Sequence, residues 1–258
     1  DYFIQFIDVR KMSDKEVASL SKNLEIDIAV DLTGFTFNSR SGIFSYRAAP
    51  IQINYLGFAG TMGASYMDYI IADEVLIPKE NFDNYSEKVL YLPDCYMANM
   101  RRKDISEKKS QRSDFGLPEN KFVFCSFNNN YKITPPIFDI WINILKKVPN
   151  SVLWILVTNE TASKNLIKET EARGVDSSRI IFAYYLPVEE HFERIPLADL
   201  ILDSFPYNAH TTAGDAVRMG VPIVTLTGIS FASRVAASIL SCVGVNELIT
   251  TTKKDYEE

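Results

Sequence analysis

The stretch Asn208-Ala-His-Thr-Thr-Ala-Gly-Asp215 sets an imidazole, two adjacent hydroxyls and a carboxylate within six positions, His210 to Asp215. A helix beginning at Thr211 would aim its unpaired backbone N–H groups, the Thr211 and Thr212 hydroxyls and its positive dipole end at one spot. Phosphates bind at such places. Asp215 falls one turn further along the same face; a carboxylate there repels phosphate but accepts hydrogen bonds from ribose hydroxyls. The same residues also read as an ordinary helix start, with Thr211 as N-cap and Asp215 answering the dipole. The stretch alone leaves both readings open.

Three other segments carry candidate chemistry. Ser126-Phe-Asn-Asn-Asn-Tyr-Lys-Ile-Thr-Pro135 joins a strand to a helix and brings Lys132 just ahead of that helix. A lysine there is a mobile point charge suited to a diphosphate. It is equally a solvated surface lysine, and consecutive asparagines suit turns. In Leu186-Pro-Val-Glu-Glu-His-Phe-Glu-Arg194, His191 and Arg194 stand three apart and share a helix face. An imidazole and a guanidinium fork can stack on and hydrogen-bond a base, or belong to an amphipathic surface. The chain's two histidines, His191 and His210, have no third ligand nearby, so no metal site is expected. Tyr55-Leu-Gly-Phe-Ala-Gly-Thr-Met-Gly-Ala64 is a Gly-rich loop that lets backbone approach a ligand, without GxGxxG spacing. The chain also lacks a GxxxxGK[ST] loop and a GxSxG elbow, which argues against a dehydrogenase, an NTPase or a hydrolase.

The elements that would hold these segments alternate. In the second half, apolar runs at Phe122–Phe127, Ser151–Val157, Arg179–Tyr184, Leu200–Asp203 and Val221–Leu226 read as strands. Helical patterns run over Ile137–Lys147, Thr161–Arg173, Val188–Ile195, Thr211 to Gly220 and Phe231–Ser241, with Pro135 and Pro136 in a first turn and Gly174 as a C-terminal cap. Strand–helix alternation means βαβ units and a parallel sheet covered on both faces. In the first half, Ile26–Asp31, Ile51–Tyr55 and Tyr69–Ala72 read as strands and Asp14–Asn23 and Ser41–Ala48 as helices. The charged run Arg101 to Ser113 reads as a linker. Two α/β lobes follow, residues 1–105 and 106–258. The tail Thr251-Thr-Lys-Lys-Asp-Tyr-Glu-Glu258 has the polar opening of a helix and no body, so the chain reads as cut short.

A 258-residue chain at 47% hydrophobic and 23% charged is ordinary globular material. Its net charge of −6 argues against a nucleic-acid binder. No apolar run approaches the ~18 residues of a membrane span. The three cysteines show no CxxC spacing and the start shows no signal peptide, so a reducing cytoplasm is expected.

These residues resemble the catalytic region of the O-GlcNAc transferase/SPINDLY family in its short bacterial form. The carrying segments are Asp31-Leu-Thr-Gly-Phe-Thr36, Arg47-Ala-Ala-Pro-Ile-Gln52, Tyr55-Leu-Gly-Phe-Ala-Gly-Thr61 and Met67-Asp-Tyr-Ile-Ile-Ala-Asp73. They continue with Tyr85-Ser-Glu-Lys88, Tyr131-Lys-Ile133, Val148-Pro-Asn-Ser-Val-Leu-Trp154, Glu189-Glu-His191, His210-Thr-Thr212 and Ala232-Ser-Arg-Val-Ala-Ala237. The resemblance runs in order from about residue 26. It implies a GT-B-like α/β enzyme of two Rossmann-like lobes with parallel sheets, the N-terminal lobe incomplete. Such enzymes invert the sugar anomer without a metal or other cofactor. They move a sugar, usually GlcNAc from UDP-GlcNAc, to Ser or Thr hydroxyls of acceptor proteins. Homo-oligomer formation is compatible with this.

By the same resemblance, Lys132 would hold the diphosphate and stabilise departing UDP, with Asn129 near the phosphates where the family often has Gln. His191 and Arg194 would face the uracil, with the backbone of Leu186, Pro187 and Val188 completing base recognition. His210, Thr211 and Thr212 would bind the phosphates, His210 as a donor, and Asp215 the ribose. Leu56, Gly57 and Phe58 would approach the donor sugar from the first lobe. Val188 stands where the family commonly has Lys, and Ala59 replaces a usual Pro. The family's required histidine lies upstream of the matching region, after tetratricopeptide repeats; neither His191 nor His210 corresponds to it, and no 34-residue repeat is present here. The expectation is therefore the donor-binding part of a longer enzyme, inactive alone, with the general base outside this chain. A relative using UDP-glucose or GDP-fucose, and a non-catalytic nucleotide-binding module, are the alternatives.

Overall fold

A computed structural model describes residues 4–98 and 110–258. Most of the charged run read as a linker, Arg101 to Ser113, lies outside the described residues. The chain divides into two compact units, Asp1–Met97 and Ala98–Glu258.

The first unit is built on helix α1 (Asp14–Asn23), strand β1 (Ile28–Asp31), helix α2 (Gly42–Ser45) and strands β2 (Ile51–Asn54), β3 (Tyr69–Ala72) and β4 (Lys88–Tyr91). Ser13 opens α1 through a reciprocal cap: its hydroxyl accepts from Glu16 N–H while the Glu16 carboxylate accepts from Ser13 N–H. The four strands are parallel in the order β1-β2-β3-β4, with Asp31 level with Asn54. β1 is an edge strand, and its Ile28 and Val30 are exposed. Sequence reading missed β4: Lys88-Val-Leu-Tyr91 has no fully buried residue, so no apolar run marks it.

The second unit holds β5 (Phe122–Ser126), α3 (Pro135–Lys147), β6 (Ser151–Leu156), α4 (Glu160–Ala172), β7 (Ile180–Ala183), α5 (Val188–Arg194), β8 (Leu200–Leu202) and α6 (Thr211–Arg218). It continues through β9 (Ile223–Leu226), α7 (Val235–Cys242), β10 (Ile249–Thr250) and α8 (Lys253–Glu257). Its strands are parallel in the order β10-β9-β8-β5-β6-β7. This is the doubly wound order in which the chain reverses direction between its first and fourth strands, here β5 and β8. Ligands of such sheets bind at that reversal, outside the carboxyl ends of the strands.

β6 is buried along its whole length, as a central parallel strand must be. The apolar stripe of α3 (Phe138, Trp141, Leu145) closes one face of the sheet over Leu153 and Ile155. Gly174 takes φ +74°, the left-handed turn that ends α4. The expected helix Phe231–Ser241 is a single 3₁₀ turn, Phe231–Ser233, followed by α7. The tail read as a helix opening without a body is α8, capped by the Thr252 hydroxyl. One residue supplies its core contact: Tyr256, 3% exposed, whose hydroxyl accepts from Trp141 Nε1 at 3.2 Å and donates to the Asp203 carbonyl at 2.8 Å.

Candidate functional site

At the β5/β8 reversal lies a cavity of about 540 Å³. Its walls are the carboxyl-end loops of the sheet. The loop after β5 contributes Phe127, Asn128, Asn129, Tyr131 and Lys132. The loop after β7 and the start of α5 contribute Tyr185, Leu186, Val188, His191 and Arg194. The loop after β8 and the start of α6 contribute Tyr207, His210, Thr211, Thr212 and Asp215. Ten of the residues expected from sequence therefore meet in one place; Pro187 is at the N-cap of α5 but does not line the cavity.

Lys132 is half-buried. Its Nζ donates to the Asn208 carbonyl at 2.7 Å, lies 3.5 Å from Asn128 Oδ1, and sits 4.2 Å from the centre of the Tyr207 ring. Among the described residues no carboxylate forms an ion pair with it. Burial lowers its pKa to about 8, while the Asp203 carboxylate opposes the shift. An ammonium fixed by a carbonyl and a ring face, with N–H bonds to spare, has the chemistry to hold an anion.

α6 starts without a side-chain cap and without an acidic residue in its first turn. His210, not Thr211, is its N-cap residue, so the plain reading of Thr211 as a cap is not what the chain adopts. The first N–H groups of α6 have no partner inside the helix and open where Thr211 and Thr212 line the cavity. The His210 ring stacks on Tyr207 at 4.9 Å, and its Nε2 lies 3.3 Å from the Ala232 carbonyl. A carbonyl only accepts, so the Nε2 proton is directed there and Nδ1 carries none in the neutral ring. Burial, with Lys132 adding to it, lowers the His210 pKa to about 4. The ring is thus neutral at physiological pH. To donate to a phosphate through Nδ1, as expected from sequence, it would have to change tautomer or take up a proton as the anion arrives.

His191 and Arg194 form a unit. Arg194 is 2% exposed. Its Nε and Nη2 donate to His191 Nδ1 at 3.1 and 2.9 Å, its Nη1 donates to the Tyr184 carbonyl at 2.7 Å, and its guanidinium lies 4.4 Å from the Phe127 ring centre. Because a guanidinium cannot accept, the neutral imidazole must carry its proton on Nε2. Burial, then the Arg194 charge, lowers the His191 pKa to about 4. Arg194 therefore acts mainly by orienting the His191 ring and fixing its tautomer. Arg194 also lines the cavity, and what spacing cannot show is that three of its N–H bonds are directed to His191 and Tyr184.

Sequence reading missed Asp203 and Tyr207. Asp203 is fully buried, and its Oδ1 accepts from Ser204 N–H at 2.7 Å and Ala209 N–H at 2.6 Å, closing the loop between them. Its Oδ2 accepts from Thr225 Oγ1 at 2.6 Å. The available signal was a carboxylate ending an otherwise apolar strand in mid-sheet.

The loop expected on the sugar side belongs to the first unit. Leu56 is exposed with φ +70°, Gly57 is exposed and Phe58 half-buried. A Cβ on Gly57 would fall 2.0 Å from the Leu32 carbonyl oxygen, so only glycine fits. Buried Glu87 anchors the loop, accepting from Thr61 Oγ1 at 2.5 Å and Met62 N–H at 2.6 Å.

Fold and site together define a Rossmann-like α/β protein of the GT-B class in two units, with a crevice at the strand ends of the second. The comparisons narrow this. The model of glycosyl transferase family 41 matches residues 2–110 and 101–258, and the chain belongs to that family. It is 40% identical over 259 residues to a probable UDP-N-acetylglucosamine–peptide N-acetylglucosaminyltransferase, SEC, of Arabidopsis thaliana, covering 98% of this chain and 26% of that protein. It is 32% identical over 254 residues to the SPINDLY protein of Eustoma exaltatum, described in the same terms, covering 96% and 27%. Among solved structures, the Thermobaculum terrenum O-GlcNAc transferase superposes with a TM-score of 0.88 at 30% identity, covering 97% of this chain and 47% of that one. The chain thus spans about a quarter of the length of these curated relatives. Among the described residues no helix is long and apolar enough to cross a membrane.

Proposed function

We propose that this chain is the donor-binding region of an inverting, metal-independent protein O-glycosyltransferase. It would move a sugar, first of all GlcNAc from UDP-GlcNAc, to Ser or Thr hydroxyls of acceptor proteins. The observation that carries this reading is the meeting of Lys132 with the uncapped start of α6 in one crevice. There the ammonium and the Thr211 and Thr212 groups would face the diphosphate. They would stabilise the charge that develops on it as the glycosidic bond breaks. The Nε2–H of His191 would meet a base carbonyl, beside the Leu186–Val188 backbone, and Asp215 would accept from the ribose. Asn129 would lie beside the phosphates, and Leu56 to Phe58 would serve the sugar. The names of the relatives support the same chemistry. Neither histidine suits the part of general base, because a pKa of about 4 makes each a poor proton acceptor.

Val188 favours a second reading. It lines the cavity and is exposed where the family commonly carries a cation, so a different base, as in a GDP-linked sugar, is the alternative. Calorimetric titration of the full-length protein with UDP, UDP-GlcNAc, UDP-glucose and GDP separates the two. The proposal expects UDP and UDP-GlcNAc to bind and the sugar to appear on acceptor protein. Tight GDP binding without UDP binding would overturn the donor, and binding without transfer would point to a non-catalytic module.

A further inference from the structure

Behind the crevice, Asp203 and Lys132 are joined through one peptide group. The amide linking Asn208 to Ala209 donates its N–H to Asp203 Oδ1 at 2.6 Å and accepts from Lys132 Nζ through its carbonyl at 2.7 Å. In a trans peptide these two bonds point in opposite directions. The peptide dipole therefore lies between a carboxylate and an ammonium with its positive end toward the first and its negative end toward the second. The arrangement is held on all sides. Ser204 N–H and Thr225 Oγ1 also donate to the carboxylate, Tyr256 OH donates to the Asp203 carbonyl, and Asn208 Nδ2 donates to Ser204 O at 3.0 Å and Leu226 O at 3.3 Å.

We propose that Asp203 is the positioning residue for Lys132, acting through the Asn208–Ala209 peptide to fix the ammonium and to supply its counter-charge from outside the crevice. This rests on the reading of the crevice as a diphosphate site. A carboxylate in direct contact with Lys132 would occupy its N–H bonds and repel the ligand. One peptide away, it stabilises the cation and leaves those bonds to the diphosphate. The charged or titratable groups around the pair are few. His210 faces Lys132 and is neutral, Tyr207 presents its ring face to Nζ with Tyr131 beyond it, and Tyr256 faces the Asp203 backbone. Burial raises the Asp203 pKa to about 7, against the lowering effect of its three donors and of Lys132. The carboxylate is therefore mostly charged near pH 8, where Lys132 loses its proton.

The test is Asp203→Asn in the full-length protein. The amide oxygen keeps the acceptor for Ser204 and Ala209, and the amide nitrogen donates to a turned Thr225 hydroxyl, so the loop survives without the charge. Affinity for UDP, and for pyrophosphate as a base-free probe, is measured from pH 7 to 9, with wild type and variant compared at each pH so that ionisation of the ligand itself cancels. In wild type the affinity falls above about pH 8. In Asp203→Asn the fall begins at least about half a pH unit lower, and binding at pH 8 weakens several-fold. A purely structural role would weaken binding equally at every pH; that result, or superimposable profiles, overturns the proposal. Should Asp203→Asn not fold, Thr225→Val removes one donor to the carboxylate, and its profile moves the same way by less, or the proposal fails. Wild-type binding of pyrophosphate without UDP would remove the uridine reading and leave this test intact. Binding of neither would overturn both.

Discussion

Replacing Lys132 by Ala removes the ammonium that, among the described residues, the proposed site would present to a diphosphate, and the structure sets the size of the loss. In the free protein Nζ is already held by the Asn208 carbonyl and the Tyr207 ring and is partly desolvated, as its pKa of about 8 records. Much of the cost of ordering and drying the ammonium therefore falls on folding rather than on binding. What the ligand gains is close to a full charge-assisted contact, about 1.5–3 kcal/mol, or roughly 10- to 150-fold in Kd for UDP. Lys168, exposed on α4 and away from the cavity, is the control, and its removal should change Kd by less than about twofold. Calorimetry at pH 7 measures both, and thermal melting without ligand shows whether each variant is folded. Because Lys132→Ala strips the Asn208 carbonyl of a donor, a modest drop in Tm is expected and does not bear on the binding claim. Equal dissociation constants for Lys132→Ala and Lys168→Ala would show that Lys132 does not hold the diphosphate.

Three further outcomes follow. UDP affinity should fall about tenfold per pH unit above about pH 8, because the anion binds the protonated lysine and that form is depleted there; calorimetry across pH checks it. Arg194→Met leaves the Tyr184 carbonyl and His191 Nδ1 without their donor, so UDP should bind roughly tenfold more weakly while pyrophosphate binding changes little. Leu153→Ala opens the fully buried core under α3 and should cost about 2–5 kcal/mol in urea unfolding, whereas Leu90→Ala on the exposed face of β4 should cost less than about 1 kcal/mol.

Sequence reading went furthest where one signal dominates. The apolar runs that became β5, β6 and β7 and the 3.6-residue periodicity of α3 and α4 placed the second lobe within a few residues. The loops between them then had to carry any site. His210 to Asp215, Lys132 and His191 meet as expected because each sits at a carboxyl end of the same parallel sheet. Hydrogen-bond direction was not legible. Nothing in the spacing of His191 and Arg194 shows that the guanidinium donates to the imidazole and the Tyr184 carbonyl, and nothing in the isolated His210 shows its Nε2 turned to Ala232. Asp203 was hidden for a similar reason: its partners are backbone N–H groups of its own loop, which leave no mark on the sequence. Strand β4 and helix α8 escaped because each offers too few buried residues to make a pattern.

The crevice between the ends of β5 and β8 is proposed above as a nucleotide-diphosphate site. A crystal structure of the full-length protein with UDP tests it most directly. The diphosphate is expected within hydrogen-bond distance of Lys132 Nζ and the first N–H groups of α6, with the base against His191. UDP bound elsewhere, or lying in the crevice with its base at α6 and its phosphates at His191, would contradict it.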